Sequence, residues 1–247
     1  MDLIATNKIQ IGPLPIDIIT RDDLVQVVMS SALQSRSLTV CTPNLQFYGS
    51  LRKVHPKENL CDAFDYVVAD GWPIAVAATL KRRRILKRIT GSDLFPILLE
   101  STKNLDIKVL IVGGHEKDSD LIESKFYCFP YVEVAIPPQK TSVDELFKFV
   151  VTRSQGVSGP TVIVLCLGFP LQEETALLLQ HRINSPIICL GASLDFYAGL
   201  KQRAPRILRI SGLEWFWRLL QEPKRLWRRY LLVSIPSLFS LVKDILK

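Results

Sequence analysis

Six short apolar runs alternate along the chain with segments long enough to be helices. "SLTVC" ends near Thr42, "YVVA" at Asp70, "IKVLIV" at Gly113, "YVEVAI" near Pro137, "PTVIVLCL" at Gly168 and "SPIICL" at Gly191. In most of them the apolar residues are continuous rather than alternating, the pattern of strands covered on both faces. Between them, residues 44–54, 74–82, 92–103, 116–126, 142–153 and 171–182 can each hold a helix. Strands alternating with helices predict an α/β fold, a mostly parallel sheet with helices on both faces.

Polar and glycine-rich clusters follow these runs directly: "TPN", "ADG", "VGGH", "LGFPLQEE" and "LGAS". In a parallel sheet they lie at the carboxyl ends of strands and converge on one edge, where open α/β folds bind ligands. Asp70 is the sharpest case. Asp-Gly is a common turn pair, and the alternative is a carboxylate set at the mouth of the sheet. Other chemistries are poorly supported. "KVLIVGGHEKD" places two glycines between a strand and a helix, but it is not GxGxxG, and no acid sits about twenty residues on at the end of a following strand, where a nicotinamide fold requires one. Asp118-Ser119-Asp120 falls inside an expected helix and reads as a solvated first turn, where acids complement the dipole. Scattered histidines and unpaired cysteines make no metal pattern, and no G-x-S-x-G elbow is present.

Composition and charge change the picture at the carboxyl end. The 247 residues are 48% hydrophobic and 22% charged, globular values with a net charge of +7. Residues 201–247 hold eleven Lys and Arg against three acids, and residues 1–200 hold twenty bases against twenty-one acids. The whole excess therefore sits in the tail and points to a polyanion. Trp215, Arg218, Trp227, Arg225, Arg228 and Arg229 interleave aromatic and basic side chains there, and Pro223 marks a break between two helices. No nucleic-acid-binding module is recognisable, and an anionic membrane surface accounts for the mixture better. "YLLVSIPSLFSLV" is too short to span a bilayer and is interrupted by Pro236. The boundaries expected are a core over 1–200 and a membrane-associating helical appendage over 201–247. Such apolar surface could also drive self-association into a homo-oligomer. The five cysteines show no CxxC, and Cys41, Cys166 and Cys189 read as small buried hydrophobes in a reducing compartment. The first residues lack a basic start and a cleavage site, so no secretory leader is expected. Arg88, next to "ITGSDL", is the member of the basic run Lys81 to Arg88 expected to face a diphosphate.

Taken together, "TPN" at 42–44, "ADG" at 69–71, "RITGSDL" at 88–94, "VGG" at 112–114, "LGFPLQE" at 167–173, "GASLDFYAG" at 191–199 and the long "RAPRILRISGLEWFWRLLQEPKRLWRRYL" at 203–231 resemble the WecG/TagA/CpsF glycosyltransferases, family twenty-six. The resemblance covers nearly the whole chain. It implies a Rossmann-like fold and an inverting transferase that needs no metal or other cofactor. The donor would be a nucleotide-diphosphate sugar, usually uridine-linked, and the acceptor a polyprenyl-diphosphate-linked saccharide of surface polysaccharide synthesis. It implies a peripheral enzyme on the cytoplasmic face of the bacterial inner membrane. Asp70 maps onto the general base, with Thr42, Asn44, Arg88 and Gln172 as its companions. Gly113, Gly114, Gly168, Gln172, Gly191 and Asp195 would hold the nucleotide sugar. Arg206, Arg209 and the tail residues already named would meet the lipid diphosphate and the membrane. A non-catalytic nucleotide-binding membrane adaptor of the same fold is the alternative reading. Three departures from the family pattern stand out: "DGWP" in place of the more typical glycine two residues after "DG", Leu171 in "FPLQE" where a lysine is common, and the less glycine-rich "CLGASLDF". The first two are expected to bear on sugar preference.

Overall fold

The computed structural model describes residues 4, 6–54, 60–83 and 85–246, with the backbone alone at positions 52–54, 225 and 229. An antiparallel hairpin of β1 (Lys8–Ile11) and β2 (Leu14–Asp17) leads into α1 (Arg21–Leu33). Strands and helices then alternate: β3 (Leu38–Cys41), α2 (Leu45–Val54), β4 (Tyr66–Val67), α3 (Trp72–Arg82), α4 (Gly91–Lys103), β5 (Lys108–Gly113) and α5 (Ser119–Phe126). They continue through β6 (Val132–Ala135), α6 (Val143–Gln155), β7 (Thr161–Cys166), α7 (Leu171–Leu179), β8 (Pro186–Cys189) and α8 (Ser193–Tyr197). The tail forms α9 (Arg206–Ile210), α10 (Glu214–Gln221), α11 (Pro223–Arg229), a π-helical turn over Tyr230–Ser234, and α12 (Ile235–Ile245).

Strands β3 to β8 make one six-stranded parallel sheet in the order β4-β3-β8-β7-β5-β6. Successive residues of each strand serve opposite faces. Cys41, Leu110, Val112, Ile163, Leu165 and Ile187 join a cluster with residues of α2, α3, α6 and α7. Val40, Val109, Ile111, Val162, Val164 and Ile188 join a second cluster with α1, α4, α5 and α8. Continuous apolar runs are the consequence of two dry faces, and the fold is the α/β, Rossmann-like one that the strand pattern implied. The cysteines agree with it, since Cys41, Cys166 and Cys189 are buried and free.

The apolar runs and their spacing predict neither the hairpin, nor α1, nor α8. The first two have a local signal. Gly12-Pro13 is a turn pair, and Thr20 caps α1 by accepting the Asp23 N–H at 3.1 Å. The hairpin serves the edge of the sheet, because buried Asp17 accepts the Val67 N–H of β4 at 2.7 Å. Asp118 and Asp120 fall, as expected, on the turn into α5, and no group of three metal-ligating side chains occurs among the described residues. Pro223 begins α11, so the break expected there is present.

The tail does two different things. Residues 201–234 cross the carboxyl edge of the sheet. Helix α12 returns to the body, packs on α2, α3 and β1, and places Leu241 in the first core cluster. Its buried Asp244 accepts the Tyr48 hydroxyl at 2.6 Å, and the Lys81 ammonium donates to the Asp244 carbonyl at 3.2 Å. The helices approach closely where Gly49 of α2 meets Ser237, since a Cβ at Gly49 would stand 1.8 Å from Ser237 Oγ and 3.1 Å from Val233 Cγ1. Gly49→Ala should therefore lower stability by roughly 1–3 kcal/mol through overpacking, read as a fall in the urea midpoint at unchanged slope.

Candidate active site at the carboxyl edge of the sheet

All five clusters that follow the apolar runs reach one cavity of about 380 Å³, whose wall includes Thr42, Asp70, Gly114, Gln172 and Gly191. Asp70 is placed by backbone pairing that outlasts the strands themselves. Past the end of β4, Val68 N–H donates to Cys41 O at 2.9 Å and Asp70 N–H to Pro43 O at 3.1 Å. From the other side, Ile89 N–H donates to Ala69 O at 2.9 Å, which ties the approach to α4 to the same segment. The Asp70 carboxylate then accepts the Gly91 N–H at 3.3 Å, in the first turn of α4, where the helix dipole favours an anion.

Protein surrounds Asp70 except on the side of the cavity. Burial drives its pKa up, the Arg218 guanidinium pulls it down, Glu214 pushes it up, and Arg88 and the Gly91 N–H pull it down, leaving it raised to about 6. A carboxylate with that proton affinity is a better base than an exposed one and is still ionised at neutral pH.

The companions are partly structural. Asn44 Oδ1 accepts the N–H groups of Gln46 and Phe47, both at 3.1 Å, and so caps α2. Thr42 Oγ1 donates to Cys189 O at 2.8 Å, linking the ends of β3 and β8. Gln172 is buried, and its Oε1 accepts both Leu167 N–H at 3.1 Å and Gly191 N–H at 3.2 Å. Its Nε2 donates to Glu173 Oε1 at 2.7 Å. Gln172 thus braces the ends of β7 and β8 and fixes its own amide orientation. Gly114, Gly168, Gly191 and Asp195 also line the cavity, whereas Gly113 does not. Gly113 stays in the ladder, where a Cβ would stand 2.6 Å from the Cys166 carbonyl oxygen. That glycine answers to packing.

The tail closes one side. Arg218 of α10 lines the cavity. Arg88 lies outside its wall, held by Glu214 at 3.4 Å and by the Arg209 carbonyl at 3.2 Å, with its guanidinium 5.6 Å from the Trp72 ring centre. Trp72 Nε1–H also donates to Arg209 O at 2.8 Å, so the indole helps to dock the tail. Arg203 and Arg209 reach Asp93 at 2.7 and 3.7 Å. Arg206, Arg228, Trp215 and Trp227 are at the surface, and the Arg228 guanidinium lies 5.3 Å from the Trp227 ring centre. The side chains of Arg225 and Arg229 lie outside the described residues, as does Arg84 of the basic run.

With this geometry in view, a family model described as the glycosyl transferase WecG/TagA/CpsF family matches residues 9–247. The chain belongs to that family. Among curated proteins it is similar to the N-acetylglucosaminyldiphosphoundecaprenol N-acetyl-beta-D-mannosaminyltransferase of Staphylococcus aureus, 27% identical over 202 residues that cover 81% of this chain and 76% of the relative. The enzyme of the same name from Bacillus spizizenii is 28% identical over 193 residues, 75% of this chain and 70% of the relative.

For this WecG/TagA/CpsF member, the sequence reading passed over two acids inside motifs that it quoted. Glu173 lines the cavity while almost wholly buried, its Oε2 has no hydrogen-bond partner among the described residues, and burial pushes its pKa up to about 7. Glu214 pairs with both Arg88 and Arg218. It is one of just three acids in a tail of eleven bases, and that rarity was the available signal.

The raised proton affinity of Asp70 has a sign. A carboxyl group whose folded pKa lies above its unfolded value near 3.8 stabilises the fold when protonated, and this contribution is lost as pH rises through about 4 to 6. Asp70→Asn should therefore unfold at higher temperature than the wild type near pH 8, by an amount worth roughly 1–3 kcal/mol. The gain should vanish near pH 4, as thermal melts across that range would show.

Proposed function

We propose that the chain transfers a hexosyl unit, with inversion and without a metal, from a uridine-diphosphate sugar to a polyprenyl-diphosphate-linked saccharide. The observation that carries this reading is Asp70, an ionisable carboxylate of raised proton affinity on the cavity wall, with Arg218 beside it. The acceptor hydroxyl gives its proton to Asp70 as its oxygen bonds to the anomeric carbon. The bond from that carbon to the diphosphate breaks, and its electron pair leaves with the uridine diphosphate. General base help of this kind is worth about 10²–10⁴-fold.

Arg218, Lys201 and backbone N–H groups at the strand ends are the cationic and dipolar groups that would meet the growing charge on the leaving diphosphate. Arg88, drawn to the same place by Glu214, would add a second guanidinium. Thr42, Asn44 and Gln172 would shape the cavity by holding the loops around it. The glycines at 168 and 191 leave room for the donor, whereas a Cβ at Gly114 would meet Ile122 of the core. The names of the two relatives support an N-acetylhexosamine donor and an N-acetylglucosaminyl-diphospho acceptor as the first pair to assay.

The place of action is read from the tail. Among the described residues no helix is long and apolar enough to cross a membrane. Instead Trp215, Trp227, Leu231, Leu232 and Phe239 are exposed amid Arg and Lys. Such a surface would lie in the headgroup region of the cytoplasmic leaflet of the bacterial inner membrane, each base contributing about 1 kcal/mol. The division into a core over 1–200 and an appendage over 201–247 is functional on this reading, with α12 anchoring the appendage to the core.

Two experiments test the proposal. A detergent assay of sugar transfer from a panel of uridine-diphosphate sugars should find one donor used, with a rate that falls below a midpoint near pH 6. Asp70→Asn should lose about 10²–10⁴-fold while still binding the donor, and equal rates would remove the base assignment. Replacing exposed Leu231 and Leu232 together by Ser should lower binding to anionic vesicles at least tenfold, on the order of 1.5–3 kcal/mol for each buried leucine. Unchanged sedimentation with vesicles would sink the membrane assignment.

A further inference from the structure

Ion pairs join the tail to the body. Asp93 of α4 takes Arg203 and Arg209, and Lys201 pairs with Asp195 and with Glu222 at 3.8 Å. In each of those groups the opposite charges meet one another. Glu214 differs because one carboxylate faces two guanidiniums from two parts of the fold. Its Oε2 lies 3.4 Å from Arg88 Nη1, in the segment before α4, and its Oε1 lies 2.9 Å from Arg218 Nη2, one turn along α10. The side chains of Glu214 and Arg88 are 13% and 16% exposed, so water screens this contact weakly. Among the described residues Arg218 lines the cavity and Glu214 does not.

We propose that Glu214 is a positioning residue for the transfer: its carboxylate fastens Arg88 of the core to Arg218 of α10 and offsets their positive charge at Asp70. The inference rests on Asp70 as the general base. Its physical content is a conflict that the site has to resolve. A leaving diphosphate is stabilised by nearby cations, and the same cations weaken a carboxylate base beside them. One acid shared by two arginines keeps both cations in place and leaves the base its proton affinity.

The groups facing Asp70 agree. Arg218 and Glu214 act from α10, Arg88 from the segment before α4, and the Gly91 N–H from the first turn of α4. The two guanidiniums and the N–H lower its pKa, and Glu214 raises it. Glu214 is not among the residues that line the cavity, so its effect passes through the arginines and through space.

The test is a carbon-13 NMR titration of the full chain labelled at aspartate carboxyls, with the Asp70 resonance assigned by its loss in Asp70→Asn. The wild-type midpoint should fall near 6. Glu214→Gln should titrate at lower pH, and Glu214→Asp, drawn back from one guanidinium, should lie between the two. In the transfer assay Glu214→Gln should lose several-fold in kcat at neutral pH, keep its KM for the donor, and extend its activity to lower pH. A midpoint unchanged in Glu214→Gln overturns the coupling. Should that variant not fold, an unchanged midpoint in Glu214→Asp overturns it equally. Equal transfer by wild type and Asp70→Asn overturns instead the base on which the inference rests, whatever the titration shows.

Discussion

Six parallel strands end at one edge, and the backbone groups that leave the ladder there must find new partners. Buried N–H and C=O groups left unpaired cost about 1–3 kcal/mol each. Much of the site is the solution to that problem. Gln172 takes two N–H groups from the ends of β7 and β8, Asn44 takes two at the start of α2, and Thr42 donates to the last carbonyl of β8. Side chains that look functional by position are thus also the ones that keep the loops in register. Loops held in this way around a cavity are what a transferase needs to hold two substrates in line.

Asp70 stands at the point where this backbone accounting meets charge. Its own N–H continues the β3–β4 pairing, so the side chain has little freedom to choose its surroundings. Those surroundings then come from elsewhere in the chain: an N–H of α4, a guanidinium before it, and an arginine and a glutamate more than 140 residues downstream on α10. Burial and the acid outweigh the cations, which leaves a group able to hold or release a proton near neutral pH.

The tail has one side on the cavity and the other exposed. Helices α9 to α11 carry exposed Trp, Leu and Arg on one side and contribute Arg218 to the cavity on the other. Trp72 and Asp93 fasten the stretch from 203 to 212 to the body, and α12 anchors the far end through Tyr48, Asp244 and Leu241. The segment between these anchors is thus held at both ends over the cavity.

The sequence by itself determined the class of fold, the alternation of strands and helices from β3 to β8, and the edge on which the chemistry gathers. Burial on both faces writes continuous apolar runs, and polar clusters after each run mark the carboxyl ends. Those signals are local, so they survive in one dimension. The hairpin and α1 left weaker local marks, a Gly-Pro turn and a Thr cap, and so went unread. What only the tertiary structure decided is which charges face one another. That Glu214 bridges Arg88 and Arg218, that Gln172 braces two strand ends, and that α12 belongs to the core all depend on contacts between residues far apart in the chain. Spacing along a sequence carries periodicity, but electrostatic and packing partners are set by distance in space.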